Sequence, residues 1–337
     1  MSEKINVSII GVTGYTGIEL LRVLINHPKV NLKYLLSQSH AGEKISDVWP
    51  HLKNICDMKL NEADLQEVAS KSDLVFLALP NNEAQKIVPS IIGKTKIIDL
   101  SGDFRLQSSS AYEKYYDHVH EYSEGIDKFV YGLSELNGEQ ISKAQNIANP
   151  GCFAITSELA LLPVAKILEH AAVLAVTGSS GSGKTLKEEV HHPVRNHNMK
   201  SYKIGKHQHI PEIAQTLSIS ETQLSFVPVS GPFTRGIHLT AFLNLKKTVT
   251  KDEIKELYSS YYYGKTFVRL KENVQLADIV GSNFCDISIQ SAGENIIVQV
   301  VIDNLVKGAA GGAIQNMNLM FGLPETTGLL NLSPLFP

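Results

Sequence analysis

Short apolar runs and amphipathic stretches alternate through the N-terminal half of the chain. Ile5–Ile10 predicts a strand, Gly11–Gly17 a glycine-punctuated turn, and Ile18–Asn26 a helix with Leu20, Leu21, Val23 and Leu24 on its apolar side. His27-Pro28 ends that helix, because a proline pushes the residue before it out of helical geometry. Asn31–Leu36 predicts the next strand. Asp73–Leu79 reads as a buried strand closed by Pro80, Ala84–Ile92 as a helix and Lys96–Leu100 as a further strand. Alternating strands and helices imply a parallel sheet covered on both faces.

The second half has a different pattern. An apolar stretch with helical spacing begins at Cys152, Ala172–Thr177 predicts a strand, and a Gly/Ser turn comes after it. His191 to His209 is rich in His, Asn and Lys with little periodicity, and reads as a long loop. Leu224–Val229, Ile237–Leu245, Thr266–Leu270, Cys285–Gln290 and Asn295–Ile302 have strand composition, and Gly312–Met320 looks helical. The predicted class is α/β: an N-terminal doubly wound parallel sheet, plus an α+β catalytic domain with a mostly antiparallel sheet. A length of 337 residues agrees with two domains.

Composition narrows the function. The chain is 43% hydrophobic and 19% charged, with a net charge of −3, so it carries no electrostatic footprint for nucleic acid or an anionic membrane. No apolar run is long enough to span a bilayer, and the N-terminus lacks the apolar core of a signal peptide. Three cysteines at wide spacing, without CxxC, argue against a disulfide framework or a zinc site and fit a reducing cytoplasm. His191, His192 and His197 have no carboxylate or thiol at ligand spacing, so no metal is expected.

Two glycine loops suggest phosphate chemistry. Gly11-Val12-Thr13-Gly14-Tyr15-Thr16-Gly17 lies between a strand and a helix, where glycines let the backbone approach a pyrophosphate resting on the helix N-terminus, as in a Rossmann-like fold. The second strand ends in Ser37-Gln38-Ser39, without the acidic residue that would accept from a ribose hydroxyl. Serine hydroxyls there favour NADP over NAD. Gly178-Ser179-Ser180-Gly181-Ser182-Gly183-Lys184-Thr185 matches the pattern of a nucleotide-hydrolysing P-loop in full. The first loop is already placed, however, the helix expected after a P-loop is short, and no acidic strand end downstream offers a magnesium ligand. The turn is expected instead to supply backbone amides beside a reacting carbonyl.

Cys152 follows Asn149-Pro150-Gly151 and opens a helix, where the dipole and free amides favour a thiolate. That placement suggests covalent catalysis on a carbonyl coupled to hydride transfer, whereas Cys56 and Cys285 read as buried apolar residues. In His207-Gln208-His209-Ile210-Pro211-Glu212, Pro211 and Glu212 mark a helix entry. His209 is then either an acid/base in a cleft or a solvated capping residue. Arg105 comes after a buried strand and suits either a phosphate or an ion pair with Asp99 or Asp103. Arg235 suits a substrate carboxylate.

Taken together, GVTGYTGIEL (Gly11–Leu20), LSGDFRL (Leu100–Leu106), YGLSEL (Tyr131–Leu136), NPGC (Asn149–Cys152), SSGSGK (Ser179–Lys184), HQHIPEI (His207–Ile213) and the segment Asp303–Gly322 resemble the N-acetyl-gamma-glutamyl-phosphate reductase family, the arginine-pathway branch of the semialdehyde dehydrogenase group. The resemblance implies phosphate-dependent, NADP(H)-linked reduction of N-acetyl-glutamyl 5-phosphate to the semialdehyde through a thioester on Cys152. The acid/base falls on His209 or His207. Cofactor contacts fall on Gly11, Thr13, Gly14, Tyr15, Thr16, Gly17, Ser37, Ser39, Leu79 and Pro80, with Ser180, Gly181, Gln315 and Asn316 toward the nicotinamide. Substrate contacts fall on Arg105 (the leaving phosphate), Asn149, Ser179 and Arg235. The implied domains are residues 1–149, completed by a C-terminal helix over 306–337, and residues 150–305 for catalysis and dimerisation. A cytoplasmic dimer or tetramer is expected. Lys184, Gln208, Gly312 and Phe153-Ala154 depart from the family's usual residues and leave an N-succinyl or carrier-bound aminoadipyl phosphate open as the substrate.

Overall fold

The computed structural model describes residues 4–62, 64–293 and 295–332. The chain divides into two compact units, one of Met1–Pro150 with Ala309–Asn331, the other built on Gly151–Gly308.

The first unit holds six strands: β1 (Ile5–Ile10), β2 (Val30–Leu36), β3 (Leu74–Leu77), β4 (Lys96–Asp99), β5 (Val130–Tyr131) and β6 (Asn146–Ala148). They pair in the order β2-β1-β3-β4-β6-β5, every pair parallel. The four residues of β3 are all buried, as a strand covered on both faces requires. Ile10, Val75, Leu77, Val88, Ile97 and Phe104 share one core cluster with the helix Ala84–Ile91. From β1 the chain runs to β2 on one side and then to β3 on the other, so the order reverses between β1 and β3. In open α/β sheets, ligands bind at the carboxyl ends of strands at such a reversal. The segment expected to be one helix over 306–337 is a π-type turn, Val306–Ala310, continued by the helix Gly311–Met320, which packs on the helix Ser134–Lys143. Residues 333–337 of that expectation lie outside the described residues.

The second unit holds β7 (Leu168–Thr177), β8 (Lys200–Ser201), β9 (Leu224–Ser230), β10 (Ile237–Leu245), β11 (Val268–Leu270), β12 (Cys285–Ala292) and β13 (Asn295–Ile302), in the order β11-β12-β13-β10-β7-β9-β8. Four of the six pairings are antiparallel; β7–β9 and β11–β12 are parallel. One face of this sheet is covered by the helix Cys152–Leu161, which lies on β13 and β10 and against the helix His209–Leu217. On the opposite face Leu174 and Phe242 are exposed at 43% and 48%, in registers that set both on the same side of β7 and β10. Among the described residues, no helix is long and apolar enough to cross a membrane.

Candidate active site

Cys152 is the first residue of its ten-residue helix; Gly151 is the N-cap, in extended geometry. The other nine residues of the helix are buried, and Cys152 alone is not. The apolar helix is therefore fixed by the core, and its exposed end presents the sulfur. No side chain caps that end, which leaves first-turn amides for an anion or a thiolate. Close packing from two sides fixes the position. A Cβ on Gly308 would fall 2.8 Å from the Cβ of Cys152, and a Cβ on Gly151 would fall 2.2 Å from Nε2 of His209. Glycine at 151 is what allows the imidazole to lie against the turn that carries the thiol.

The helix His209–Leu217 begins at His209 itself, which sets Glu212 three residues on, over the same face. Glu212 is fully buried. Its Oε1 accepts the Gly151 amide at 2.8 Å, and its Oε2 lies 4.0 Å from Nε2 of His209. One carboxylate thus ties the nucleophile turn to the imidazole. This residue is absent from the sequence-derived set. Its only signal is an acidic residue three positions after a histidine at a helix start, which also fits a simple dipole contact.

His207, the other acid/base candidate, lies directly against His209. Its Nδ1 accepts the His209 amide at 3.2 Å, and its ring packs among Phe153, Tyr202 and Phe226. Burial, with the Lys203 charge adding, pushes its pKa down to about 3, so it is neutral at physiological pH. Tyr202 is raised above its ordinary range, first by burial and then by the nearby Cys152 charge, against the opposing Arg195 charge.

The P-loop reading of Gly178–Thr185 is not favoured, and most of the loop's amides are engaged. A phosphate cradle needs them unpaired. Here Gly178 N donates to Gly236 O, Ser179 N to Phe233 O and Ser180 N to Thr234 O, at 2.8–3.0 Å, and Gly181 and Gly183 close turns within the loop. Beyond the loop the chain forms two short turns, Glu188–Val190 and His192–Arg195, where a P-loop would need a long helix. The amides of Gly178, Ser179 and Ser180 are for the same reason not offered to a reacting carbonyl. Ser180 also spends its hydroxyl on Thr234 O (2.7 Å) and receives Asn304 Nδ2 (3.0 Å), while Ser179 is half-buried with its amide engaged. The loop is a clasp onto the Gly231–Gly236 segment. Arg235 likewise reaches inward: its Nε and Nη2 lie 3.0 and 3.2 Å from the carboxylate oxygens of buried Asp303.

In the first unit, Gly11 has φ +86° and donates to Leu36 O; a Cβ there would meet Ala78 O at 2.3 Å. Leu79 and Pro80 continue from that contact at the end of β3. Gly17 is equally enclosed, with Gly11 O 2.3 Å from its Cβ position. Gly14 differs, since its nearest neighbour would be Gly11 O at an ordinary 3.6 Å and its φ is −76°. The protein's own packing demands glycine at 11 and 17 but not at 14, so the space beside Gly14 fits an approaching group. Tyr15 and Thr16 open the helix behind it, and no side chain caps that helix. Ser37 Oγ lies 3.0 Å from Thr13 Oγ1 and 3.5 Å from Ser39 Oγ, a hydroxyl cluster beside the loop that fits a phosphate ester.

Three further candidates, Asn149, Asn316 and Gln315, are hydrogen-bonded within the first unit. Asn149 is buried; its Oδ1 accepts from Asn316, its Nδ2 donates to the Ala309 and Pro150 carbonyls, and its carbonyl accepts from Arg105 Nε. Asn316 spends the rest of its amide on Gly132 O and Ser134 Oγ. Gln315 donates to Glu135 and Glu325. These three side chains brace the unit's interior. Arg105 is half-buried and braces two carbonyls, Asn149 O and Leu100 O, both at 2.8 Å. Asp99 nearby is pushed up to about 7 by complete burial, with the Asp103 charge adding and Ser101 and Arg105 opposing.

The family described as "Semialdehyde dehydrogenase, NAD binding domain" matches residues 6–144, and "Semialdehyde dehydrogenase, dimerisation domain" matches 152–304. Among curated relatives, the N-acetyl-gamma-glutamyl-phosphate reductase of Halothermothrix orenii is 42% identical, over 99% of this chain and 100% of its own. That of Methanocaldococcus jannaschii is 44% identical over 97% and 98%. Among solved structures, the aspartate semialdehyde dehydrogenase of Candida albicans with NADP is 15% identical with a TM-score of 0.71, over 94% of this chain and 98% of that one, which supports the fold.

Proposed function

This chain belongs to the N-acetyl-gamma-glutamyl-phosphate reductase family, and from that membership we propose that it reduces N-acetyl-glutamyl 5-phosphate to N-acetyl-glutamate 5-semialdehyde and phosphate with NADPH, a step of arginine biosynthesis. The observation that carries the reading is the lone accessible residue of a buried helix, a cysteine, with His209 and Glu212 packed against the glycine before it. The relatives named for this reaction lend the N-succinyl and carrier-bound alternatives no support.

His209 takes the thiol proton, and the Cys152 thiolate attacks the acyl carbonyl. The bond from carbon to the phosphate oxygen breaks, giving a thioester and inorganic phosphate. NADPH, when bound, supplies the hydride that reduces this thioester. Uncapped first-turn amides at Cys152 are the donors available to the oxyanion, and His209 is the proton carrier as the aldehyde departs and the sulfur is freed. Gly11–Gly17, with Ser37 and Ser39, would hold the dinucleotide.

The function is tested in reverse. Purified protein with N-acetylglutamate 5-semialdehyde is expected to reduce NADP+ only when inorganic phosphate is present. Reduction without phosphate, or none with it, removes the reading. Gly14→Ala is expected to weaken NADPH binding roughly tenfold at unchanged melting temperature, whereas Gly11→Ala lowers the melting temperature itself. Fluorescence titration and thermal unfolding of the two variants separate these effects. We assign the exposed Leu174 and Phe242 face to contact with a second copy of the chain, in keeping with the matched dimerisation domain, and place the enzyme in the cytoplasm.

A further inference from the structure

Arg195, on the one-turn helix His192–Arg195, has an unusual environment. Its Nη1 donates to Ser182 Oγ at 3.2 Å, while its Nε and Nη2 are buried and have no hydrogen-bond partner. Leaving these two guanidinium nitrogens buried and unpaired is costly unless an anion completes them. The groups that bear on it electrostatically are the Tyr202 hydroxyl and the exposed Glu189, and neither hydrogen-bonds it. Tyr202 in turn stands within electrostatic range of both Arg195 and Cys152, all three within the second unit.

A substrate of the proposed kind carries two anionic groups. Its phosphate is attached to the carbon under attack and must lie at the sulfur. Its carboxylate lies at the other end of a short chain. Arg195, with its open Nε and Nη2 edge, suits the distal group. Arg235, the sequence's candidate for that task, is committed to Asp303. The paired Nε and Nη2 edge is the face of a guanidinium that grips a carboxylate in two parallel bonds. The Gly178–Thr185 clasp also acquires a role. Ser180, pinned to Thr234 and Asn304, sets the turn from which Ser182 orients Arg195.

We propose that Arg195 binds the carboxylate remote from the acyl phosphate and so selects substrates that bear one. The proposal rests on the acyl-phosphate reading above. Its test compares N-acetylglutamate 5-semialdehyde with 4-acetamidobutanal, the same aldehyde without the carboxylate, in NADP+ reduction with phosphate. Arg195→Met is expected to cut kcat/KM for the first on the order of 10- to 100-fold and to leave the second unchanged. The KM for phosphate stays as in the parent protein, and Arg195→Lys, which keeps the charge but loses the fork, recovers only part of the preference. Equal losses on both aldehydes, or a rise confined to the phosphate KM, overturn the proposal.

A second readout needs no turnover and stands even if the parent protein oxidises neither aldehyde, a result that would remove the proposed function alone. N-acetylglutamate should slow alkylation of Cys152 by iodoacetamide in the parent protein but not in Arg195→Met. Equal protection in both, or protection in neither, overturns the assignment.

Discussion

Cys152→Ser is expected to lose phosphate-dependent aldehyde oxidation by at least about 10⁴-fold, with NADPH binding and melting temperature unchanged. The exchange replaces one atom at the only accessible position of a helix whose remaining nine residues are buried, so core packing is untouched. The close approach of Gly308 to the Cβ is unaffected by a smaller oxygen. What changes is ionisation. A helix N-terminus favours a thiolate over a thiol, whereas a serine hydroxyl there stays protonated. Cys56 and Cys285 are both buried, so iodoacetamide should label the parent protein once and the variant not at all. Steady-state assay, NADPH titration and mass spectrometry measure the three parts. A serine variant with near-normal turnover would end the covalent mechanism.

Features that depend on local backbone chemistry are legible in the sequence. Asn149-Pro150-Gly151-Cys152 announces a turn into a helix because proline and glycine restrict what the backbone can do, and the structure begins the helix at Cys152. Gly11 to Gly17 announces a strand-to-helix turn for the same reason, although the helix starts at Tyr15 rather than Ile18. The two- and three-residue strands β5 and β6 show no periodicity, because runs that short have none. The helix Lys251–Tyr261 did carry a signal, the capping box of Thr250 and Glu253, which the strand-rich composition around it obscures.

Residues whose role is set by distant partners are not legible. Asn149, Gln315 and Asn316 look like ligand-binding amides until their partners are counted; all three side chains are engaged within the unit. The Gly178–Thr185 loop matches a phosphate-binding pattern residue for residue, yet what decides is whether its amides are spent. Those of Gly178, Ser179 and Ser180 are, on a segment more than fifty residues away, and those of Gly181 and Gly183 close turns inside the loop. Conversely, Arg195 sits in a stretch that reads as featureless polar loop, and only coordinates reveal two of its nitrogens buried without partners.

Glu212 is the clearest case, and its replacement is the second large effect expected. Its carboxylate bridges the Gly151 amide, 61 positions away in sequence, and the His209 imidazole. Glu212→Gln preserves the shape and leaves a carbonyl oxygen to accept the Gly151 amide, so the turn should hold and the melting temperature should change little. The negative charge is lost. At 4.0 Å a carboxylate and an imidazolium attract by about 4 kcal/mol at an effective dielectric near 20, before desolvation is subtracted. Without that attraction the proton of the thiol has a poorer acceptor, and less thiolate forms at neutral pH. The expected result is a fall in kcat on the order of 100-fold with KM for the aldehyde little changed. The pH profile of Cys152 alkylation should also move upward, toward that of an ordinary thiol. A purely structural role would lower stability and leave that profile where it was. A glutamine variant whose alkylation profile overlays the parent's would therefore remove Glu212 from the chemistry and return it to the core.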